Sequence, residues 1–206
     1  YGNPLVDNTK STRDKSYFAI KNLNKTYLAG VKIEELTSKY KLSLNDLKYY
    51  LPLSFDELKN QNTQIHYLGY YLKWIPQEAY YYATEHTGFK ARPFRTQGTY
   101  SKYNSIDDKI DDLHYYTTFI KFGLGRASYD SSQEIRNKHL TRNEAVKLVK
   151  KFDGEFPDKY LNEVLKYLDL NKDKFIKQID KFRPPHLWKK QKNTWKLLKP
   201  VYKSSK

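Results

Sequence analysis

Apolar residues recur with helical spacing through the second half of the chain. Residues 106–122 carry one such stripe, which predicts a helix with Ser105 as its N-cap. Its members are Ile106, Ile110, Leu113, Thr117 and Ile120. After two glycines, a second helix is predicted from Arg126 to about Asn137, and most of its surface is polar.

Three more helices are predicted between residues 141 and 182, with Gly154 ending the first and Pro157 opening the second. Thr141 followed by Glu144 has the spacing of a capping box, and Asn171 caps the third helix. Short links between amphipathic helices predict a compact helical subdomain over residues 138–206. In its C-terminal arm, LWKK and TWKLL predict a β-hairpin in which Trp188 packs against Trp195.

The first third of the chain predicts short elements. Helices are expected over residues 32–40, 44–50 and 55–60, with Ser43 and Ser54 as capping-box residues. Residues 64–74, QIHYLGYYLKW, are apolar on both alternating faces, which predicts a strand buried between helices. Pro76 is placed to open a helix that runs to residue 84. The fold class expected from these patterns is mainly α-helical with a little β.

The amino-acid composition excludes several kinds of functional site and a membrane-spanning segment. The chain has no Cys, which excludes disulfides, zinc-thiolate sites and thiol nucleophiles. No apolar run approaches the roughly 20 residues that span a bilayer, and the N-terminus lacks a signal-peptide pattern. We therefore expect a cytoplasmic protein without a membrane partner.

The net charge of +15 is concentrated at the C-terminus, where the last 36 residues hold twelve Lys or Arg and two Asp. Lys outnumbers Arg by 31 to 7, whereas bidentate phosphate contacts favour Arg. The charge is compatible with general solvation and also with a polyanion footprint. A nucleic acid partner is not our main expectation.

Residues 121–136, KFGLGRASYDSSQEIR, form the principal candidate site. Arg126, Asp130 and Glu134 are spaced four apart and therefore share one face of the predicted helix. One interpretation is a solvated connector with an ion-pair ladder. The other is an anion or sugar site, in which N–H groups at the helix start and the cations Lys121 and Arg126 hold the ligand, while Gly123 and Gly125 let it approach.

Two further groups are weaker candidates. The loop over residues 88–103 carries Arg92 and Arg95, which are either solvated cations or ligands for a phosphate or sugar acid. His114 lies three residues from Asp111, in a spacing that suits an acid–base pair, a metal site or a structural role. The pattern assigns no metal ligands and no catalytic residue.

Three ordered blocks carry a resemblance to a known family. They read GTYSKYNSIDDKIDDLHYYTTFIKFGLGRASYDSSQEIRN, HLTRNEAVKLVKKFDGEFPDKY and FRPPHLWKK. In these blocks the chain resembles the C-terminal half of the N-acetyl sugar amidotransferases, and the resemblance extends from about Gln64 to Leu198. That family belongs to the PP-loop ATP-pyrophosphatase superfamily and acts in bacterial surface-glycan biosynthesis.

The resemblance implies an organisation and a reaction. Residues 1–87 would end an α/β, Rossmann-like PP-loop domain closed by the strand 64–74. Residues 88–137 would face the cleft, and 138–206 would form the helical subdomain. ATP would activate a sugar acetamido group, which ammonia would convert to acetamidino. The SGGxDS pyrophosphate loop and the family's cysteine cluster do not occur in this sequence. We expect them upstream of Tyr1, where most contacts to ATP and Mg²⁺ would lie, so this chain alone should be inactive.

The resemblance also implies partners and site residues. The substrate would be a nucleotide sugar or a sialic-acid-like sugar for lipopolysaccharide O-antigen or flagellin glycans, such as pseudaminic acid. A glutaminase with a barrel subunit would supply ammonia. The expected substrate-binding residues are Lys121, Gly123, Gly125, Arg126, Asp130, Glu134 and Arg136, with Arg92 and Arg95 behind them and His114 and His186 as outer candidates. The alternative is a basic, helical RNA-binding appendage of a PP-loop tRNA-thiolating enzyme.

Overall fold

The computed structural model describes residues 12–13, 19, 22–28, 30–62 and 64–203. The chain divides into two compact units, Tyr1–Trp74 and Ile75–Lys206. Both are built from helices with a few short strands, which confirms the predicted fold class. The sequence YGNPLVDN at residues 1–8 predicts a loop with a turn at Asn3-Pro4, and these residues lie outside the described part of the chain.

The first unit contains short elements only. Its helices are α1 (Ile33–Ser38), α2 (Leu44–Leu47), α3 (Phe55–Asn60) and α4 (Leu68–Tyr71), and its strands are β1 (Thr12–Arg13), β2 (Tyr27–Leu28), β3 (Val31–Lys32) and β4 (Ile65–His66). The strands pair antiparallel, β1 with β4 and β2 with β3. Both predicted capping boxes are present, at Ser43 with Asp46 and at Ser54 with Glu57.

The predicted strand over residues 64–74 is wrong. Only Ile65 and His66 are extended and paired, and Leu68–Tyr71 forms a helical turn. A strand that is apolar on both faces is stable only where both faces are covered. Here Leu68, Tyr70, Tyr71, Leu72 and Trp74 are all exposed. Among the described residues, the faces of this segment are therefore not covered as an interior strand of a sheet requires.

The second unit carries the main core. Its elements are α5 (Pro76–His86), α6 (Asp111–Phe122), α7 (Arg126–Arg136), α8 (Arg142–Phe152), α9 (Leu161–Tyr167), α10 (Lys172–Asp180), β5 (Trp188–Gln191) and β6 (Thr194–Leu197). Helices α6, α9 and α10 bury one cluster, made of Leu113, Ile120, Leu161, Val164, Leu165, Phe175 and Ile179. The predicted caps at Thr141 and Asn171 are confirmed.

Helix α6 begins later than predicted, at Asp111. Ser105 is not its cap: it has a positive φ of 54°, and Ile106 and Ile110 are exposed. The guanidinium of Arg92 donates to the carbonyls of Ser105 and Asp108. Those carbonyls are engaged from outside the segment, and residues 106–110 follow an irregular path up to the first helical turn.

Strands β5 and β6 form the predicted hairpin, in which the two tryptophans are diagonal neighbours on one face and not directly opposite each other. The register places Trp188 opposite Leu197, and Trp195 opposite Lys190. The Arg183 guanidinium lies over both indole rings, 4.4 Å from Trp188 and 5.4 Å from Trp195. The indole N–H of Trp188 donates to the carbonyl of Ile120 at 2.8 Å, so the hairpin anchors the end of α6.

A buried acid in α6 gives a testable pH dependence. Asp112 is only 3 % exposed, and burial raises its pKa although Arg92 and Lys159 oppose the shift. An acid whose pKa is raised by folding destabilises the folded protein above that pKa, and acidification relieves the cost. Asp112→Asn should therefore raise the melting temperature at neutral pH.

The gain from Asp112→Asn should shrink as the pH falls towards about 4, the ordinary range of Asp. Thermal unfolding at both pH values measures it. Asp111→Asn is the matched control in the same helical turn, where a lost first-turn charge should slightly lower stability. A lower melting temperature for Asp112→Asn at neutral pH would show that the carboxylate stabilises the fold.

Candidate functional site

The second unit has a concavity of about 400 Å³ between α5, the loop 96–105, α7 and the turn that follows α7. It is lined by Gln77, Glu78, Tyr81, Tyr100, Glu134 and His139. A smaller space of about 30 Å³ shares Tyr100 and Glu134 with it. The smaller space is also lined by Ser101, Tyr103, Asn104, Arg126, Asp130 and Gln133. Arg126, Asp130 and Glu134 therefore meet at a cavity. We call these two spaces together the α7 cleft.

Asp130 ties α7 to the loop. One carboxylate oxygen accepts from Arg126 Nε at 2.8 Å. The other accepts from Thr99 Oγ1 at 2.5 Å and from Asn104 Nδ2 at 3.2 Å. Asp130 is 8 % exposed, so these bonds also satisfy a buried charge. Its main role is to fix the wall of the cleft.

Arg126 is held equally firmly. Its guanidinium lies 5.0 Å from the ring centre of Tyr115 and 5.3 Å from that of Tyr129, and it donates to the Tyr115 hydroxyl at 3.0 Å. Burial opposes its charge, but Asp130 and the tyrosines outweigh that cost, and the pKa of Arg126 is raised. Arg126 lines the cleft as a permanently charged group.

The start of α7 binds an anion that the chain itself supplies. Asp153 accepts from the backbone N–H groups of Gly125 at 3.0 Å and Ser128 at 3.1 Å, and from the Ser128 hydroxyl. A Cβ on Gly125 would lie 2.5 Å from an Asp153 oxygen, so glycine admits this carboxylate. Burial raises the pKa of Asp153, and the Ser128 hydroxyl opposes the shift. Two of the N–H groups considered for a ligand thus have an internal partner.

Arg95 is also paired internally. It donates to both Glu155 oxygens, with Nη1 at 2.6 Å from Oε2, and it donates to the carbonyl of Thr99. Glu155 further accepts from the Gly98 N–H at 2.9 Å. Burial works against the charge of Glu155, but Arg95 and Gly98 together lower its pKa. The pair fixes the loop 96–105.

The remaining predicted residues lie apart from the cleft. Lys121, Arg136, His114 and His186 are exposed and line neither space. Gly123 has φ 70° and ends α6, with its Cα packed towards Leu197. In the described part of the chain, no three His, Cys, Asp or Glu side chains are grouped to hold a metal ion.

Two tyrosines of the cleft wall were not predicted. The ring of Tyr103 stacks on Tyr80 of α5 at 4.6 Å, and its hydroxyl donates to Gln77 at 3.1 Å. Burial raises the pKa of Tyr100 and of Tyr103 to about 12. Both hydroxyls are therefore protonated at neutral pH; the Tyr103 proton is already donated to Gln77, and the Tyr100 hydroxyl can donate to a ligand. No pattern in the sequence signals that both rings line one wall, because strand alternation would place residues three apart on opposite sides.

His139 was missed as well. Its Nδ1 lies 2.7 Å from Oε2 of Glu134, and both side chains line the larger space. The two residues are five apart, so a continuous helix would not place them together. They meet because α7 ends at Arg136 and Lys138 then adopts a positive φ of 64°.

Residues 97–202 match the family model described as "LPS biosynthesis protein WbpG-like, C-terminal domain". The chain belongs to this family. A comparison with curated proteins gives no match. The matched WbpG-like region includes most of the loop 96–105, all of α6 to α10 and the hairpin, and so supplies every wall of the cleft except α5. Among the described residues, no helix has the length and apolar character needed to cross a membrane.

Proposed function

We propose that this chain forms the sugar-binding, C-terminal part of an ATP-dependent amidotransferase. The enzyme would convert the acetamido group of an N-acetyl sugar into an acetamidino group during synthesis of lipopolysaccharide O-antigen or a related surface glycan. Membership of the WbpG-like family supports the pathway. The resemblance to N-acetyl sugar amidotransferases supports the reaction. The α7 cleft is the observation that carries the proposal to named residues.

The size and lining of the cleft suit a sugar. A space of about 400 Å³ falls in the range of small-ligand sites. Glu78 and Glu134 can accept hydrogen bonds from sugar hydroxyls, the Tyr100 hydroxyl can donate one, and the side-chain amides of Gln77 and Gln133 can pair with an acetamido group. We infer that the pyranose and its acetamido group occupy the α7 cleft.

The two arginines closest to this argument are each already paired with a carboxylate. Arg95 is paired with Glu155 and Arg126 with Asp130, so neither is a free counter-charge for a phosphate. A nucleotide diphosphate would therefore extend out of the cleft. Sialic-acid-like substrates fit this arrangement through their hydroxyl and acetamido groups.

The partners follow from the proposed reaction. ATP is the substrate that activates the amide oxygen, and the PP-loop segment implied by the resemblance would hold it together with Mg²⁺. Ammonia is the nitrogen donor, delivered by a glutaminase and its barrel subunit. Residues of the α7 cleft would align the amide carbon for attack and exclude competing water.

The proposal predicts that the protein encoded by the complete reading frame is an active amidotransferase. Purified protein supplied with ATP, Mg²⁺, ammonium chloride and nucleotide-activated or sialic-acid-like N-acetyl sugars should replace one substrate oxygen by NH. Mass spectrometry resolves the product, and pyrophosphate release should depend on the sugar. Reactions without ATP are the control. A folded protein that makes no amidine from any sugar in the panel would contradict the proposal.

A further inference from the structure

His139 is the one imidazole at the α7 cleft. Of the five histidines, all in the described part of the chain, only His139 lines the larger space. Its side chain is about one-third exposed and that of Glu134 is 13 % exposed. An imidazole on a cavity wall, paired with a largely buried carboxylate, is the arrangement found where a protein moves protons.

The backbone holds this pair in place. The N–H groups of His139 and Leu140 both bond to the carbonyl of Glu134, the former at 2.9 Å. Lys138 supplies the left-handed turn that brings the ring back over α7. That conformation is costly for a residue with a side chain, and here it serves to place His139 against Glu134. Glu134 itself is fixed on α7 one turn after Asp130.

The pairing also selects the tautomer. An ionised carboxylate can only accept, so Nδ1 of a neutral His139 carries the proton that Glu134 binds. Nε2 is then the basic nitrogen, and no described residue is within hydrogen-bond distance of it. The other titratable groups that face this part of the cleft are Glu78 and Tyr81 from α5 and Tyr100 from the loop.

We propose that His139 is the general base of the amidine-forming step, with Glu134 as the residue that positions it. This inference rests on the proposed function. Ammonia attacks the carbon of the sugar amide whose oxygen carries AMP, and a C–N bond forms. His139 Nε2 accepts the proton that the attacking nitrogen must lose. The C–O bond then breaks, AMP leaves with the bonding electrons, and the amidine remains on the sugar.

The test separates activation from nitrogen transfer in the complete reading frame. In His139→Gln, amidine formation should fall by about 10²- to 10⁴-fold, as expected for loss of a general base. Sugar-dependent pyrophosphate release should persist, because activation of the amide oxygen does not use His139. The wild-type rate should fall on acidification as the ring is protonated, and the variant should lack this dependence. His114→Gln, which removes an exposed histidine of α6, should match the wild type.

The possible outcomes are distinct. His139→Gln with a wild-type amidine rate and pH profile would overturn the role of His139 while leaving the proposed function intact. Loss of sugar-dependent pyrophosphate release together with amidine formation would instead make His139 a substrate-binding residue. Added imidazole should partly restore amidine formation to His139→Ala, which guards against a folding defect, and failure of this rescue in a folded variant would count against the base. A wild-type protein that makes no amidine would overturn the proposed function itself.

Discussion

Gly154→Ala should be one of the most destabilising single-methyl additions in this protein. Gly154 has φ 78°, and a Cβ there would overlap the ring of Phe119. The left-handed conformation costs about 1–2 kcal/mol for a residue with a side chain, and overpacking adds about 1–3 kcal/mol. The free energy of unfolding, measured in urea, should fall by roughly the sum of the two.

Gly154 also stands between the two carboxylates that organise the cleft. Asp153 caps α7 and Glu155 pairs with Arg95, so a shift at Gly154 disturbs both walls. Gly88→Ala is the matched control: its φ is 69°, but nothing lies within 4 Å of the added Cβ. It should show the conformational cost alone. Equal losses of unfolding free energy in the two variants would show that the Phe119 ring moves aside at no energetic cost, which would contradict the prediction.

Local patterns in this chain were predictable because their partners are close in sequence. The capping boxes at Ser43, Ser54 and Thr141 are complete within three residues, and all three are confirmed. Helix α7 was predicted from Arg126 to about Asn137 and ends at Arg136. In contrast, the strand predicted over residues 64–74 depended on a covering layer, and no local pattern shows whether such a layer exists.

The cleft was predictable only in part. The four-residue spacing placed Arg126, Asp130 and Glu134 on one face, and all three line the cleft. The partners of the α7 N-terminus and of Arg95, in contrast, are distant in sequence. Asp153 lies 28 residues from Gly125, and Glu155 lies 60 residues from Arg95. Spacing along the chain does not reveal such pairs, so an internally capped helix start resembled an open anion site.

The pairing of His139 with Glu134 was hidden for a different reason. It depends on a left-handed residue directly after a helix, and Lys138 is not a residue type that favours this conformation. Helical spacing instead drew attention to His114, which is exposed and lines neither space of the cleft.

Arg126→Ala should lower the stability of the protein and disturb the wall of the α7 cleft. Removing the guanidinium takes one donor from the buried Asp130 and one from the Tyr115 hydroxyl. Each buried group left without a partner lowers the free energy of unfolding by about 1–3 kcal/mol. Because 25 % of the Arg126 side chain is exposed to water, we expect a value in the lower part of that range. Arg136→Ala removes an exposed arginine from the same helix and should change stability by no more than about 0.5 kcal/mol.

The central claim is that the α7 cleft binds an N-acetyl sugar, and a binding titration followed by NMR on the isotope-labelled chain tests it most directly. With a nucleotide-activated N-acetyl sugar, amide shifts should move at Tyr100, Glu134 and His139 and stay unchanged at Lys121 and His186. Arg126→Ala should abolish the response, and Arg136→Ala should keep it. Shifts centred on Lys121 or His186, or no shifts at saturating sugar, would contradict the account.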